Sequence, residues 1–301
     1  MNNEKIAVLI PCYNEELTIE KVVSDFKVQL PLADIYVYDN NSTDKTAELA
    51  LGKGATVVKE PNQGKGNVVR SMFRDVDADI YIMVDGDDTY PADEVHKLIE
   101  EVRKGNDMVI GDRLSSTYYT ENKRPFHNLG NDLVRWLINT IFRSDIRDVM
   151  TGYRAFSKKF VKTISVMSPG FQIETELTIT ALEYRYNVST VTIQYKDRPE
   201  GSSSKLNTFS DGFKVLFTLF DMVKDYKPLL FFTLVSLIAF ILGIIIFRLI
   251  FNVSGDVLFG PLVIVSLLLL VLGLILDHQK NIDKKNHELM VNFWCNKNNN
   301  Y

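Results

Sequence analysis

Ile80-Tyr81-Ile82-Met83-Val84-Asp85-Gly86-Asp87-Asp88 decides the reading of this chain. The apolar run up to Val84 is short and ends in turn chemistry, as a strand buried on both faces does. Three carboxylates follow within four residues, Asp85 to Asp88. Such charges repel one another unless a cation sits among them. Hard divalent ions such as Mg2+ or Mn2+ take oxygen ligands and are commonly shared between carboxylates and a diphosphate. Gly86 lets the backbone approach a ligand closely. The same cluster also suits an acidic turn capping a helix that starts near Pro91, and by itself it does not choose between the two.

Outward from this stretch the arrangement recurs. Ile6–Ile10 leads into Pro11-Cys12-Tyr13-Asn14-Glu15-Glu16, and Ile35–Tyr38 leads into Asp39-Asn40-Asn41-Ser42-Thr43-Asp44. Thr56–Val58 and Met108–Ile110 are further strand candidates. Helix-like stretches lie between, at about 15–30, 43–52, 65–75 and 92–103. This rhythm predicts an α/β domain built on a mostly parallel sheet with helices on both faces. Ligands of such sheets bind beyond the carboxyl ends of the strands, where these polar motifs fall.

Past residue 112 the pattern changes. Ser115–Lys123 reads as a loop. Helical spacing is evident over Phe126–Phe142, and Gln172–Tyr186 is another helix candidate. Leu206–Tyr226 places Phe209, Phe213, Leu216, Phe217, Phe220 and Val223 along one face, which fits an amphipathic interfacial helix or a core-facing one. Leu229–Phe247 and Val257–Leu276 are uncharged and each is long enough to cross about 30 Å of hydrocarbon. The expected organisation is a catalytic domain over 1–205, an interfacial helix over 206–228, a transmembrane hairpin over 229–276 and a loosely ordered polar tail over 277–301. No signal peptide is evident. Lys214, Lys224 and Lys227 precede the first span and Lys280, Lys284 and Lys285 follow the second, which predicts a multi-pass protein of the cytoplasmic membrane with its catalytic domain in the cytoplasm.

Composition narrows the field. The net charge of −4 over 301 residues argues against nucleic acid as a partner. Two cysteines, Cys12 and Cys295, give no disulfide framework, and His96, His127, His278 and His287 have no metal spacing. Gly243 and Gly273 offer close-packing points through which the spans could also pair with a second copy.

In their order, the motifs at 11–16, 39–44 and 85–88 resemble the inverting family 2 glycosyltransferases of GT-A (Rossmann-like) fold, over roughly residues 4–205. Gly111-Asp112-Arg113, the run Asp148–Arg154 and the run Arg198–Lys205 are similar to the polyprenyl-phosphate glycosyltransferases, which include dolichyl-phosphate mannose synthases and bacterial enzymes acting on undecaprenyl phosphate. The resemblance implies a nucleotide-sugar donor whose base and ribose meet Pro11, Tyr13, Glu15 and Asp39. It implies Asp85 and Asp87 as the metal-binding pair for Mg2+ or Mn2+, with Gly86 between them. Arg113 and Arg124 match arginines that meet the acceptor phosphate, and Arg198 and Lys205 match a segment near the donor diphosphate. Lys65, in Asn62-Gln63-Gly64-Lys65-Gly66, lacks the full Walker spacing and reads as a donor-phosphate or helix-start contact.

The implied reaction moves one sugar, from UDP-glucose or UDP-N-acetylglucosamine, to undecaprenyl phosphate with inversion. The alternatives are a GDP-mannose-dependent mannosyltransferase and a transferase acting on a hydroxyl-bearing lipid. A phosphate monoester is mostly dianionic at pH 7 and needs no base, so Asp87, Arg113 and Arg124 are the residues expected to carry the chemistry. Asp148 is expected to pair with Arg154 or to support the acceptor site. Glu174 and Glu176 fit a sugar pocket or the ordinary negative charge of a first helical turn. Trp136 is expected in the core or facing the membrane.

Overall fold

Seven strands form one sheet in the order β3-β2-β1-β4-β6-β5-β7. The computed structural model describes residues 4–114, 125–170, 172–199, 220–221, 223–251 and 256–298. In chain order the sheet unit contains β1 (Ile6–Cys12), α1 (Ile19–Gln29), β2 (Asp34–Asp39), α2 (Thr46–Gly52), β3 (Thr56–Lys59), α3 (Lys65–Asp75) and β4 (Ile80–Met83). After these come α4 (Val95–Arg103), β5 (Met108–Asp112), α5 (Pro125–Phe142), β6 (Arg154–Ser157), α6 (Lys158–Thr163), α7 (Ile173–Glu183) and β7 (Val188–Thr192). The sheet is mixed and mostly parallel, because β6 alone runs antiparallel to its neighbours β4 and β5.

The continuous apolar strands are explained by cover on both faces. On one face Val8, Ile10, Ile80, Ile82 and Val84 share a buried cluster with Val23 and Phe26 of α1 and Leu98 and Ile99 of α4. On the other, the Phe156 ring of β6 meets Phe73 of α3 and Phe160 of α6, each at 5.4 Å between centroids. The parallel register carries β1, β2 and β4 to one sheet end, so residues 13–18, 40–45 and 85–90 emerge side by side.

Strands β6 and β7 and helix α6 were not legible in sequence. β6 is four residues long and carries an arginine in its first position, so it shows neither an apolar run nor alternation. Ser115–Lys123 and most of Leu206–Tyr226 lie outside the described residues.

A second unit, Gly212–Asn292, contains the apolar helices α8 (Pro228–Phe251) and most of α9 (Asp256–Asn298). Both are long and apolar enough to cross a membrane, with an 18-residue window of mean hydropathy 2.7 at Pro228–Ile245 and one of 2.3 within Leu262–Lys297. Only 11% and 6% of these windows are buried, so neither is packed as a core helix among the described residues. The hairpin closes on small residues. Ser236 Oγ donates to the Ser266 carbonyl at 2.8 Å, and a Cβ at Gly243 or Gly273 would lie 2.6 Å from Leu262 or 2.9 Å from Phe232. Both glycines are therefore engaged within the hairpin. Among the described residues the tail is helical: α9 continues to Asn298, with no Gly or Pro after Gly273 to interrupt it.

Helix α3 begins under the tightest constraint in the sheet unit. Gly66 N–H donates to the Pro169 carbonyl at 3.0 Å, and a Cβ on Gly66 would fall 1.8 Å from the Ser168 carbonyl oxygen. Gly66→Ala is expected to lower folding stability by about 1–3 kcal/mol through this overlap. Thermal unfolding of the full chain checks it, and an unchanged midpoint would contradict the packing described.

Candidate active site

Two loops interlock at the sheet end before any ligand is considered. Asn14 Oδ1 accepts from Thr43 N–H at 2.8 Å, and Asn14 N–H donates to Ser42 Oγ at 2.9 Å. Glu15 N–H donates to Thr46 Oγ1 at 2.8 Å. Asp39 is buried and its Oδ1 accepts from Ser42 N–H at 3.3 Å. Asn14 and Asn41 hold φ of 53° and 63°, a left-handed conformation that asparagine tolerates better than most residues. Pro11, one residue before the end of β1, is half-buried and Tyr13 is 38% exposed, so the two lie with Glu15 and Asp39 along one rim.

Behind the rim, Lys65 at the first position of α3 sits between two carboxylates. Its Nζ lies 2.5 Å from Asp85 Oδ1 and 2.5 Å from Glu174 Oε1. Burial pulls the ammonium pKa down, and the charges of Asp85 and Glu174 more than reverse this, leaving it above the ordinary lysine range. Asp85 is also crowded from the opposite side: a Cβ on Gly152 would fall 2.3 Å from Asp85 Oδ2. Gly86 is required by packing, since a Cβ there would meet Cys12 Sγ at 2.7 Å.

Asp87 is buried beside them. Its Oδ1 accepts from Thr89 Oγ1 at 2.6 Å, and its Oδ2 pairs with Arg198 Nη2 at 2.6 Å. Burial, followed by the neighbouring Asp85 charge, pushes its carboxyl above the usual range, while Arg198 and Thr89 pull it back. Asp88 turns away, with φ 58° and an ion pair to Lys21 at 2.8 Å.

A second cationic centre forms where β5 ends. Arg113 Nε donates to the buried Asp148 Oδ2 at 2.8 Å, and its guanidinium lies 5.5 Å from the Tyr195 ring centroid. Asp148 thus pairs with Arg113. Arg154 is fully buried instead, its Nε, Nη2 and Nη1 donating to the Thr151 carbonyl (3.0 Å), the Val149 carbonyl (2.6 Å) and Thr178 Oγ1 (2.9 Å). Burial lowers its pKa to about 10, against the charges of Glu174 and Asp148, so it stays protonated at neutral pH. Arg154 therefore clamps the 149–151 turn that presents Asp148 to Arg113 and Gly152 to Asp85. The Tyr90 hydroxyl closes the link, accepting from Gly152 N–H at 3.1 Å.

Asp85, Asp87, Lys65, Arg198, Arg113 and the rim residues come together in this way; Arg124 and Lys205 lie outside the described residues. Arg154, Tyr90 and Thr89 were not singled out as site residues from sequence. A tyrosine two residues beyond an acidic turn reads as core, and an arginine in a strand reads as surface. Among the described residues no three His, Cys, Asp or Glu side chains are grouped to hold a metal ion. Asp85 and Asp87 supply oxygen donors only. That fits Mg2+ or Mn2+ if a diphosphate and water complete the shell, and it does not fit a softer ion.

The sequence profile described as Glycosyl transferase family 2 matches residues 7–165. The chain belongs to this family. It is 34% identical over 230 residues to the glycosyltransferase AglJ of Haloferax volcanii, across 76% of this chain and 75% of that one. It is 29% identical over 210 residues to a dolichyl-phosphate hexose transferase of the same organism, across 69% of this chain and 90% of that one. A glucosyl-3-phosphoglycerate synthase of Mycobacterium tuberculosis, solved with Mn2+, UDP and product, superposes with a TM-score of 0.60 at 21% identity, covering 74% of this chain and 80% of that one. That likeness shows the GT-A fold. The chain is a glycosyltransferase with a Rossmann-like sheet domain and two apolar C-terminal helices.

The raised carboxyl of Asp87 has a thermodynamic sign. The folded state holds this proton more tightly than the unfolded chain, so ionising Asp87 costs stability as pH rises through and above the carboxylate range. Asp87→Asn is expected to abolish sugar transfer while unfolding no earlier than wild type at neutral pH, its relative advantage shrinking in acid. Melting curves at acid and neutral pH check this; a variant clearly less stable at neutral pH would contradict it.

Proposed function

We propose that this family 2 glycosyltransferase moves one sugar from a nucleotide-sugar to a membrane polyprenyl phosphate, undecaprenyl phosphate in the first instance, with inversion. The observation that carries the reading is the pair of cationic centres tied by one turn: Lys65 and Arg198 on the Asp85/Asp87 side, Arg113 held by Asp148 on the other. Two anionic groups must meet in such a reaction, a departing diphosphate and an attacking phosphate. Arginine forks suit both. The similarity to a dolichyl-phosphate hexose transferase supports a lipid phosphate, and the apolar hairpin supports a substrate held in a bilayer.

In this reading Pro11, Tyr13, Glu15 and Asp39 take the base and ribose. Lys65, Arg198 and Lys205 take the diphosphate, and Arg113 with Arg124 takes the acceptor phosphate. A phosphate oxygen forms the new bond to the anomeric carbon while the carbon–oxygen bond to the diphosphate breaks, its electron pair leaving with the nucleoside diphosphate. No proton has to be removed, so no residue is assigned as base. Asp148 holds Arg113 in place, and alignment of the two phosphates does the rest. A divalent ion on Asp85 and Asp87, Mg2+ or Mn2+, would supply further charge neutralisation at the leaving group. UDP-glucose and UDP-N-acetylglucosamine are the donors proposed, with GDP-mannose as the second. The lysines that flank the spans support a catalytic unit on the cytoplasmic side.

Membranes carrying the chain, supplied with undecaprenyl phosphate, Mg2+ or Mn2+ and one labelled nucleotide-sugar at a time, test the reading. Label from one donor should enter the organic phase, and Asp87→Ala should abolish it. Arg113→Ala is expected to lower that rate by about 10²–10³, the scale of losing one charge-stabilising donor. Lipid labelling that survives both substitutions would sink the assignment.

A further inference from the structure

The chain between α6 and α7 forms neither helix nor strand, yet the backbone of residues 166–169 is held throughout. Glu176 Oε1 and Oε2 accept from Met167 N–H and Ser168 N–H, each at 2.7 Å. Arg70 of α3 donates through Nε to the Val166 carbonyl at 2.7 Å and through Nη2 to the Met167 carbonyl at 2.8 Å. The Pro169 carbonyl accepts from Gly66 N–H at 3.0 Å and from Asn67 N–H at 3.3 Å. Of these four residues only Val166 is buried, so polar contacts rather than apolar packing fix the segment. Bonds to a charged acceptor are stronger than those between neutral groups, which gives Glu176 the firmest hold. The two carboxylates of the first turn of α7 thus divide their work. Glu174 takes the Lys65 ammonium directly, and Glu176 takes the segment against which the helix of Lys65 begins.

We propose that Glu176 and Arg70 are positioning residues for Lys65: they fix the 166–169 segment as the seat of α3, and the seat sets where the ammonium meets the departing diphosphate. The first N–H groups of a helix have no partner within it, and such an end commonly receives a phosphate. Here the Pro169 carbonyl receives those of Gly66 and Asn67. A phosphate arriving at this end is therefore met by the Lys65 side chain and not by these two backbone donors. The place of that side chain depends on how closely the first turn of α3 is seated. Gly66 lies directly against the Ser168 carbonyl, so any shift of residues 168–169 is passed to α3. Without the Glu176 carboxylate two adjacent N–H groups lose their acceptor, and without Arg70 two adjacent carbonyls lose their donor. Either loss loosens the seat from one side. The purpose rests on reading Lys65 as a diphosphate contact; the seat itself does not.

Competitive acetylation of the full-length protein in nanodiscs, read by mass spectrometry, reports how well each lysine is sheltered. Lys65, with 11% of its side chain exposed, should label slowly in the wild type. Glu176→Gln should raise its labelling severalfold. Lys162, which donates to the Phe73 and Val76 carbonyls at the other end of α3, should label as before. Arg70→Gln, at an exposed residue, should act in the same way and takes over if Glu176→Gln does not fold. Lys65 still sheltered in the folded variants overturns the proposal. So does a parallel rise at Lys162, which would mean that α3 loosens as a whole. Calorimetry with UDP and with GDP, each with Mn2+, gives the functional arm. Glu176→Gln should weaken whichever nucleotide the wild type binds by about tenfold, the scale of losing one hydrogen bond to a charged group. It should weaken it no further when Lys65→Met is already present; equal weakening in both backgrounds overturns the proposal. If the wild type binds neither nucleotide, the donor reading fails while the labelling of Lys65 still decides the seat.

Discussion

The Lys65 ammonium, 2.5 Å from both Asp85 and Glu174, fixes where three parts of the sheet unit can go. It joins the start of α3, the end of β4 and the first turn of α7. Removing one partner of a fully buried pair strands the other charge at about 3–5 kcal/mol; Asp85 keeps 25% of its side chain exposed, so the cost here is smaller, but each of these elements is still held to the others by more than apolar packing. The glycines on either side follow from the same demand. Gly64 and Gly66 let α3 begin against the backbone of residues 168–169, and Gly152 lets a loop pass over the Asp85 carboxylate with no room for a side chain.

A second buried cation does for the proposed acceptor side what Lys65 does for the proposed donor side. Arg154 spends its donors on two carbonyls and a hydroxyl and so sets the turn that carries Asp148. Asp148 in turn orients Arg113, and Tyr90 ties that turn to the chain just beyond the acidic cluster. The basic groups read as phosphate contacts are therefore already oriented by carboxylates before substrate arrives. That preorganisation is what the proposed reaction between two anionic phosphates requires, because the charge has to be met where it develops.

Much of the parallel half was legible in sequence, because each of β1, β2 and β4 is an apolar run followed directly by polar turn residues, and that signal survives without tertiary context. The antiparallel β6 was not, since its Arg154 looks like a surface charge until the partners from residues 149, 151 and 178 are brought around it. Glu174 was ambiguous for a related reason: a carboxylate in a first helical turn is favoured by the helix dipole alone, and only the approach of Lys65 from α3 distinguishes a site role. The tail showed the opposite failure. Its polar, Asn-rich composition suggested loose order, yet with no Gly or Pro to stop it the helix runs on to Asn298.

In the proposed reaction the nucleophile is a lipid phosphate, so the site can work through fixed cations and no general base. Phosphorus-31 NMR of the lipid extracted after turnover tests this most directly. The monoester resonance of the polyprenyl phosphate should be replaced by that of a sugar-linked phosphodiester in step with nucleoside diphosphate release. Sugar appearing in the lipid fraction while the monoester resonance stays unchanged would contradict it and would require a hydroxyl acceptor with a base to activate it.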